Sequence, residues 1–200
     1  MWNSRSVAVV LPTYNEKDSI AECIRGFEAT GLVDDIIVVT ENGTPNVVYI
    51  NDGTGRFPDP PTPIGSETYD AQDVAVVDIN GDGAMDFVIG NSDGPDYVYL
   101  SEDGKPFTPG DLSGPPDAEI GDEELPTRDI EVEDVNGDGC ADFVIATSSG
   151  ANKVIYCDGG NDKDSLPELE NEDIGDASDS TPVHVHAVDG DGDKDTVFGN

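Results

Sequence analysis

An acidic nine-residue segment recurs along this chain, each time leading into an apolar strand, and that repetition restricts the fold more than any other property. DINGDGAMDFVIGN begins at Asp78, and DVNGDGCADFVIAT begins at Asp134, 56 residues later. A degraded third copy, AVDGDGDKDTVFGN, begins at Ala187, after a further 53 residues. A second segment recurs with them: VVYINDGTGRF from Val47, YVYLSEDGKPF from Tyr97 and, more weakly, KVIYCDGGNDK from Lys153. Self-similarity at a near-constant period marks a repeat architecture, in which each unit buries its apolar face against the next.

Each unit reads as strand, acidic loop, strand, turn, strand, then a Gly-containing turn and a fourth strand. In the first full unit the strands are Val74 to Val77, Phe87 to Gly90 and Asp96 to Leu100. Short runs of Val, Ile, Phe and Tyr bounded by Gly, Asn and Asp are strand signals. The 23 Gly and 14 Pro suit many tight turns better than long helices. Four strands in about 55 residues describe one β-propeller blade. The expected fold is mainly β, a partial propeller of about three four-stranded blades with hairpin loops, preceded by a short βαβ-like segment. Linkers at 58–65, 108–126 and 158–179 are rich in Pro, Asp and Glu and read as solvated surface loops. Propellers close with about four to eight blades, so three leave unpaired strand edges. Additional blades or self-association are therefore expected, and the chain ends at Asn200 midway through a blade.

The loop spacing D-x-[ND]-G-D-G-x-x-D puts oxygen-bearing side chains at positions 1, 3, 5 and 9. In the first loop these are Asp78, Asn80, Asp82 and Asp86; in the second they are Asp134, Asn136, Asp138 and Asp142. A hard cation such as Ca²⁺ takes about six to eight oxygens. Alternate side chains on a tightly turning backbone converge, and the position-7 carbonyls of Ala84 and Cys140 add one oxygen each. Gly81, Gly83, Gly137 and Gly139 allow the left-handed backbone such a turn needs. The third loop keeps Asp189, Asp191, Asp193 and Asp195 but has Ala187 at position 1, so weaker binding is expected there. The bland alternative is an Asn-Gly or Asp-Gly turn that merely joins two strands. Recurrence with the same apolar flanks argues against it. An EF-hand is excluded, because position 12 is Ile89 or Ile145 where an acidic ligand is needed.

Charge points the same way. With 44 acidic and nine basic residues, the net charge is −35. Nucleic acid and anionic membranes would be repelled, which leaves cations as natural partners. A few bound calcium ions offset little of that charge, and the rest reads either as a solvated acidic surface or as adaptation to high salt. Cys23, Cys140 and Cys157 make an odd count without metal-ligand spacing, so no disulfide framework is expected. His184 and His186 alternate with Val183 and Val185, which reads as surface histidines on a strand rather than a zinc pair. VAVVLP near the N-terminus is too short for a signal-peptide core, and no apolar run reaches the roughly 20 residues of a membrane span.

DINGDGAMDFVIGN and DVNGDGCADFVIA resemble the calcium-loop motif of FG-GAP/VCBS repeats, the blades of integrin-α-like propellers. The resemblance covers about residues 35–200. It implies a calcium-stabilised propeller outside the cell or on its surface, used for adhesion or for binding a protein or carbohydrate, and the chain is read as a binding module rather than an enzyme.

Residues 1–34 follow another pattern. VAVVLPTYNEKDSIAECIRGFEATGLVDDIIVV reads as strand, turn, amphipathic helix and second strand. Ile20, Cys23, Ile24 and Phe27 share one helical face, and Gly31 is the stop. LPTYNE at Leu11 to Glu16 resembles the nucleotide-sugar loop of family-two glycosyltransferases, which would place Pro12, Tyr14 and Glu16 near a nucleotide. After Val39 that family's acidic turn and metal motif do not follow. Both resemblances share DDIIVV, where Asp35 aligns with Asp86. Alternatives to the binding module therefore remain, either a truncated and inactive nucleotide-sugar-dependent transferase or a chimeric fragment without independent function.

Overall fold

The structure, a computed structural model, describes residues 8–13, 17–40, 43–101, 105, 107–121, 126–157, 169–174, 183–186 and 195–198. The chain divides into two compact units. One comprises Met1–Ala71 with Phe107–Pro115, and the other comprises Gln72–Pro106 with Pro116–Asn200.

The first unit is built on one four-stranded sheet in the order β1-β2-β3-β4: β1 (Ala8–Thr13), β2 (Asp35–Thr40), β3 (Val47–Ile50) and β4 (Thr62–Pro63). β1 runs parallel to β2, from Ala8 opposite Asp35 to Thr13 opposite Thr40. β2 and β3 are antiparallel, with Asp35 opposite Ile50, and so are β3 and β4. DIIVVT therefore closes a βαβ unit and opens an antiparallel hairpin at once. The two patterns that met at this segment are halves of one sheet, and the boundary between residues 34 and 35 falls between its paired strands.

The crossover is α1 (Lys17–Thr30). Ile20, Ile24 and Phe27 recur at helical spacing and pack with Val33, Ile36, Val38, Val47, Tyr49 and Phe57. Ile36 and Val38 are alternate residues of β2, so one face of the sheet meets the helix. Gly31 stops the helix at φ 62°, the left-handed geometry of a C-terminal cap. Cys23 does not join this packing and is exposed.

The second unit carries two further four-stranded antiparallel sheets. The first is β5 (Ala71–Val77), β6 (Asp86–Asn91), β7 (Asp96–Tyr99) and β8 (Ala118–Ile120), in that order. The next is β9 (Thr127–Glu133), β10 (Asp142–Thr147), β11 (Asn152–Cys157) and β12 (Leu169–Ile174). A two-stranded sheet follows, β13 (Val183–His186) with β14 (Asp195–Phe198).

Period-2 alternation explains why these sheets pack in series. Phe143 and Ile145 of β10 join Val88, Val98, Ile120, Ile130 and Ile155 in one apolar cluster. The intervening Val144 and Ala146 point the other way and join Val154, Val183 and Val185 in another. A strand buried on both faces must be apolar throughout, as FVIA in β10 is. At Gly90 the neighbouring strand comes so near that a Cβ would lie 2.7 Å from Thr127 Cγ2. The molecule is mainly β, as expected.

Among the described residues the linkers at 58–65 and 108–126 are mostly exposed, as expected, but they are not only loops. Each of the three linkers supplies the fourth strand of its sheet: β4 within 58–65, β8 within 108–126 and β12 within 158–179. Ile64 and Leu112, beside the acidic and proline-rich residues, are buried. Their polar composition suits the short, charged edge strands that resist edge-to-edge pairing.

Candidate metal loops

Both acidic loops join the first and second strands of a sheet, and they share a common set of hydrogen bonds. In the first, Asp78 Oδ1 accepts the Asp82 N–H (3.0 Å) and Oδ2 that of Gly83 (3.0 Å). Asn80 Oδ1 also accepts from Asp82 (3.0 Å), and Asp82 Oδ1 accepts from Ala84 (2.8 Å). In the second, Asp134 accepts from Gly137, Asp138 and Gly139 at 2.7 to 3.1 Å. Asn136 Oδ1 accepts from Asp138 (2.9 Å), and Asp138 Oδ1 from Cys140 (2.8 Å). The glycines have φ values of 73° and 96° in the first loop and 78° and 91° in the second. Positions 1, 3 and 5 thus turn their oxygens in toward the loop's own amides.

The donor set is chemically suited to a hard cation, since every side-chain donor is a carboxylate or amide oxygen. A carboxylate oxygen already accepting an N–H keeps a second acceptor site. In this arrangement, however, no three His, Cys, Asp or Glu side chains among the described residues converge closely enough to hold an ion. Asp189, Asp191 and Asp193 of the third loop lie outside the described residues, as do Tyr14 and Glu16. Asp195 begins β14 and Pro12 lies in β1.

Position 9 has a second task. Asp86 is buried, its Oδ2 accepting the Ile79 N–H (2.8 Å) and its Oδ1 the Ser101 N–H (2.7 Å) and hydroxyl (3.0 Å). Asp142 repeats this with Val135 (2.9 Å) and Cys157 (2.8 Å). Asp35, which follows no acidic loop, still accepts the Asn51 N–H (3.1 Å). Burial raises all three carboxyl pKa values above the ordinary range. The position-9 aspartate therefore ties the loop exit to the end of the third strand, with or without a loop.

Three features escaped the sequence reading. Asn46, Asp96 and Asn152 are buried at equivalent turns, accepting the N–H of Thr40, Asn91 and Thr147. Asp96 also accepts the Thr127 hydroxyl (2.8 Å), and burial pushes its carboxyl up to about 7 against those bonds. Between neighbouring sheets, Asp73 accepts the Ile130 N–H (3.1 Å) and Asp129 the Val183 N–H (2.7 Å), one rung per repeat. Burial, together with a hydrogen bond to Asp129, pushes Asp73 up to about 6. The signal was present: Asp73 and Asp129, like Asp96 and Asn152, stand 56 residues apart, the loop period itself.

The third feature is a disulfide between Cys140 and Cys157, with Cα atoms 5.7 Å apart, leaving Cys23 free. It corrects the expectation drawn from the odd cysteine count, because strand pairing places position 7 of the loop beside the end of β11. Denatured protein is expected to titrate one thiol per chain without reductant and all three with it. Three thiols without reductant would exclude the bond. On β13, Val183 and Val185 are buried while His184 is exposed, its Nδ1 3.9 Å from Glu131 Oε2.

Comparison with known proteins covers part of this framework. Over a 68-residue stretch the chain is 40% identical to cartilage acidic protein 1 of Mus musculus, spanning 33% of this chain and 10% of that protein. The chain thus covers about a tenth of that relative's length. Residues 33–89, from just before β2 through the first acidic loop, match the model of the FG-GAP-like repeat.

Proposed function

We propose that this chain is a calcium-binding β-propeller repeat module, working outside the cell or at its surface in adhesion or in binding a protein or carbohydrate ligand. The observation that carries the reading is the recurrence of one loop geometry at 78–86 and 134–142. The same oxygens are gathered by the same backbone amides on equivalent hairpins. The FG-GAP-like repeat at residues 33–89 supports the module class and the extracellular setting. The strand order and the position-9 tie recur from sheet to sheet, which supports reading 35–200 as a repeat region, with β1 of residues 1–34 completing its first sheet.

Calcium is favoured over magnesium because the loops offer many adaptable oxygens rather than one or two carboxylates in a rigid octahedron. Two sites are expected, with dissociation constants of about 10⁻⁴ to 10⁻³ M, and weaker binding at the third loop. Calorimetric titration of chelator-treated protein with CaCl₂ tests this. Asp82→Ala and Asp138→Ala should each abolish one site. Stoichiometry that neither substitution changes would rule the loops out.

A further inference from the structure

The two loops share their oxygen-bearing positions and a common set of backbone hydrogen bonds but differ in how position 7 is fastened. In the first loop position 7 is Ala84, and two residues past the end of β7 stands Ser101, whose N–H and hydroxyl both bond Asp86 Oδ1. Fifty-six residues on, the equivalents are Cys140 and Cys157. Cys157 has no hydroxyl and gives Asp142 Oδ1 its N–H alone among the hydrogen bonds described there. A covalent bond to Cys140 stands where that second hydrogen bond would be.

We infer that the Cys140–Cys157 disulfide is a redox control on the second loop, so that its cation affinity depends on thiol oxidation while that of the first loop does not. The inference rests on the calcium reading above. The bond acts on the atoms that matter. Cys140 carries the position-7 carbonyl, and its N–H holds the position-5 carboxylate of Asp138. Cys157 holds the position-9 carboxylate. Positions 5, 7 and 9 are thereby fastened to one point on β11, so part of the ordering that gathers them round an ion is done before it arrives. When the bond is cut, that ordering becomes a cost of binding. The flanking Gly137, Asp138 and Gly139 are exposed and Cys140 is half-buried, whereas Cys157 is buried. A small dithiol therefore reaches the Cys140 sulfur from the loop side.

The chemistry balances as an ordinary exchange. One thiolate of the dithiol attacks Cys140 Sγ, the bond to Cys157 breaks, and Cys157 leaves as a thiolate that takes up a proton. The second thiol displaces Cys140 and departs as a cyclic disulfide, having delivered two electrons.

The test is calorimetry with CaCl₂ on the full chain, oxidised and after dithiothreitol. Asp82→Ala isolates the second loop and Asp138→Ala the first. Reduction is expected to weaken binding about tenfold in the Asp82→Ala chain and to change it by less than about twofold in the Asp138→Ala chain. Adding Cys140→Ala and Cys157→Ser to the Asp82→Ala chain copies the first loop's residues. It should give the weak affinity without reductant and no further response to it. If the second loop binds calcium equally well oxidised and reduced, the redox inference is overturned and the calcium reading stands. If no chain binds calcium in either state, both are overturned.

Discussion

Replacing Asp96 with asparagine is expected to stabilise the second unit at about pH 8 by as much as about 4 kcal/mol, and to change it little near pH 4. Asp96 is 2% exposed, and burial raises its carboxyl to about 7 from an ordinary 3.8. The folded state therefore prefers the protonated form. The stability this group contributes is fully present below the unfolded pKa and is lost as pH rises through about 7. Above that, the protein carries a buried carboxylate with only hydrogen bonds to compensate it. Asparagine keeps the oxygen that accepts the Asn91 N–H, and its amide donates to the Thr127 hydroxyl, which accepts as well as it donates. Asn46 and Asn152 already occupy the equivalent turns. Urea unfolding in chelator at the two pH values measures the difference. A variant less stable than the parent at pH 8 would show that the carboxylate itself is required.

The second large effect separates position 9 from the other loop positions. Without calcium, Asp86→Ala is expected to cost about 2 to 4 kcal/mol, because it strands the Ile79 N–H and the Ser101 N–H and hydroxyl around a buried site. Asp82→Ala, which strands the Ala84 N–H of a partly exposed loop, should cost about 1 kcal/mol or less. Asp35→Ala should also destabilise regardless of calcium, since Asp35 makes the same tie to the third strand where no acidic loop precedes it. Unfolding curves in chelator decide the matter. Equal costs for Asp86→Ala and Asp82→Ala would mean that position 9 is only a prospective ligand.

This dual role explains what a letter pattern does and does not convey. Spacing of oxygen-bearing residues locates the loop, because alternate positions on a turning backbone must converge. It does not reveal that the last aspartate also faces the end of a strand 15 residues on, since that depends on which strands pair.

Sequence alone determined the repeat, its period, the strand-loop-strand unit and the positions of both loops. These are local properties: alternation, turn residues and recurrence survive without knowledge of neighbours. It also showed that Asp35 aligns with Asp86, and the shared tie to the third strand bears that alignment out. What the tertiary structure alone decided is how distant segments meet. The polar linkers supply edge strands because their backbone groups pair with the third strand on one side while the other side, at the sheet's edge, tolerates polar and charged residues. The βαβ start joins the first antiparallel sheet because β2 has two edges, one available to a parallel partner and one to a hairpin. Cys140 meets Cys157 and Asp73 meets Asp129 because pairing register and sheet packing bring together residues that composition treats as unrelated.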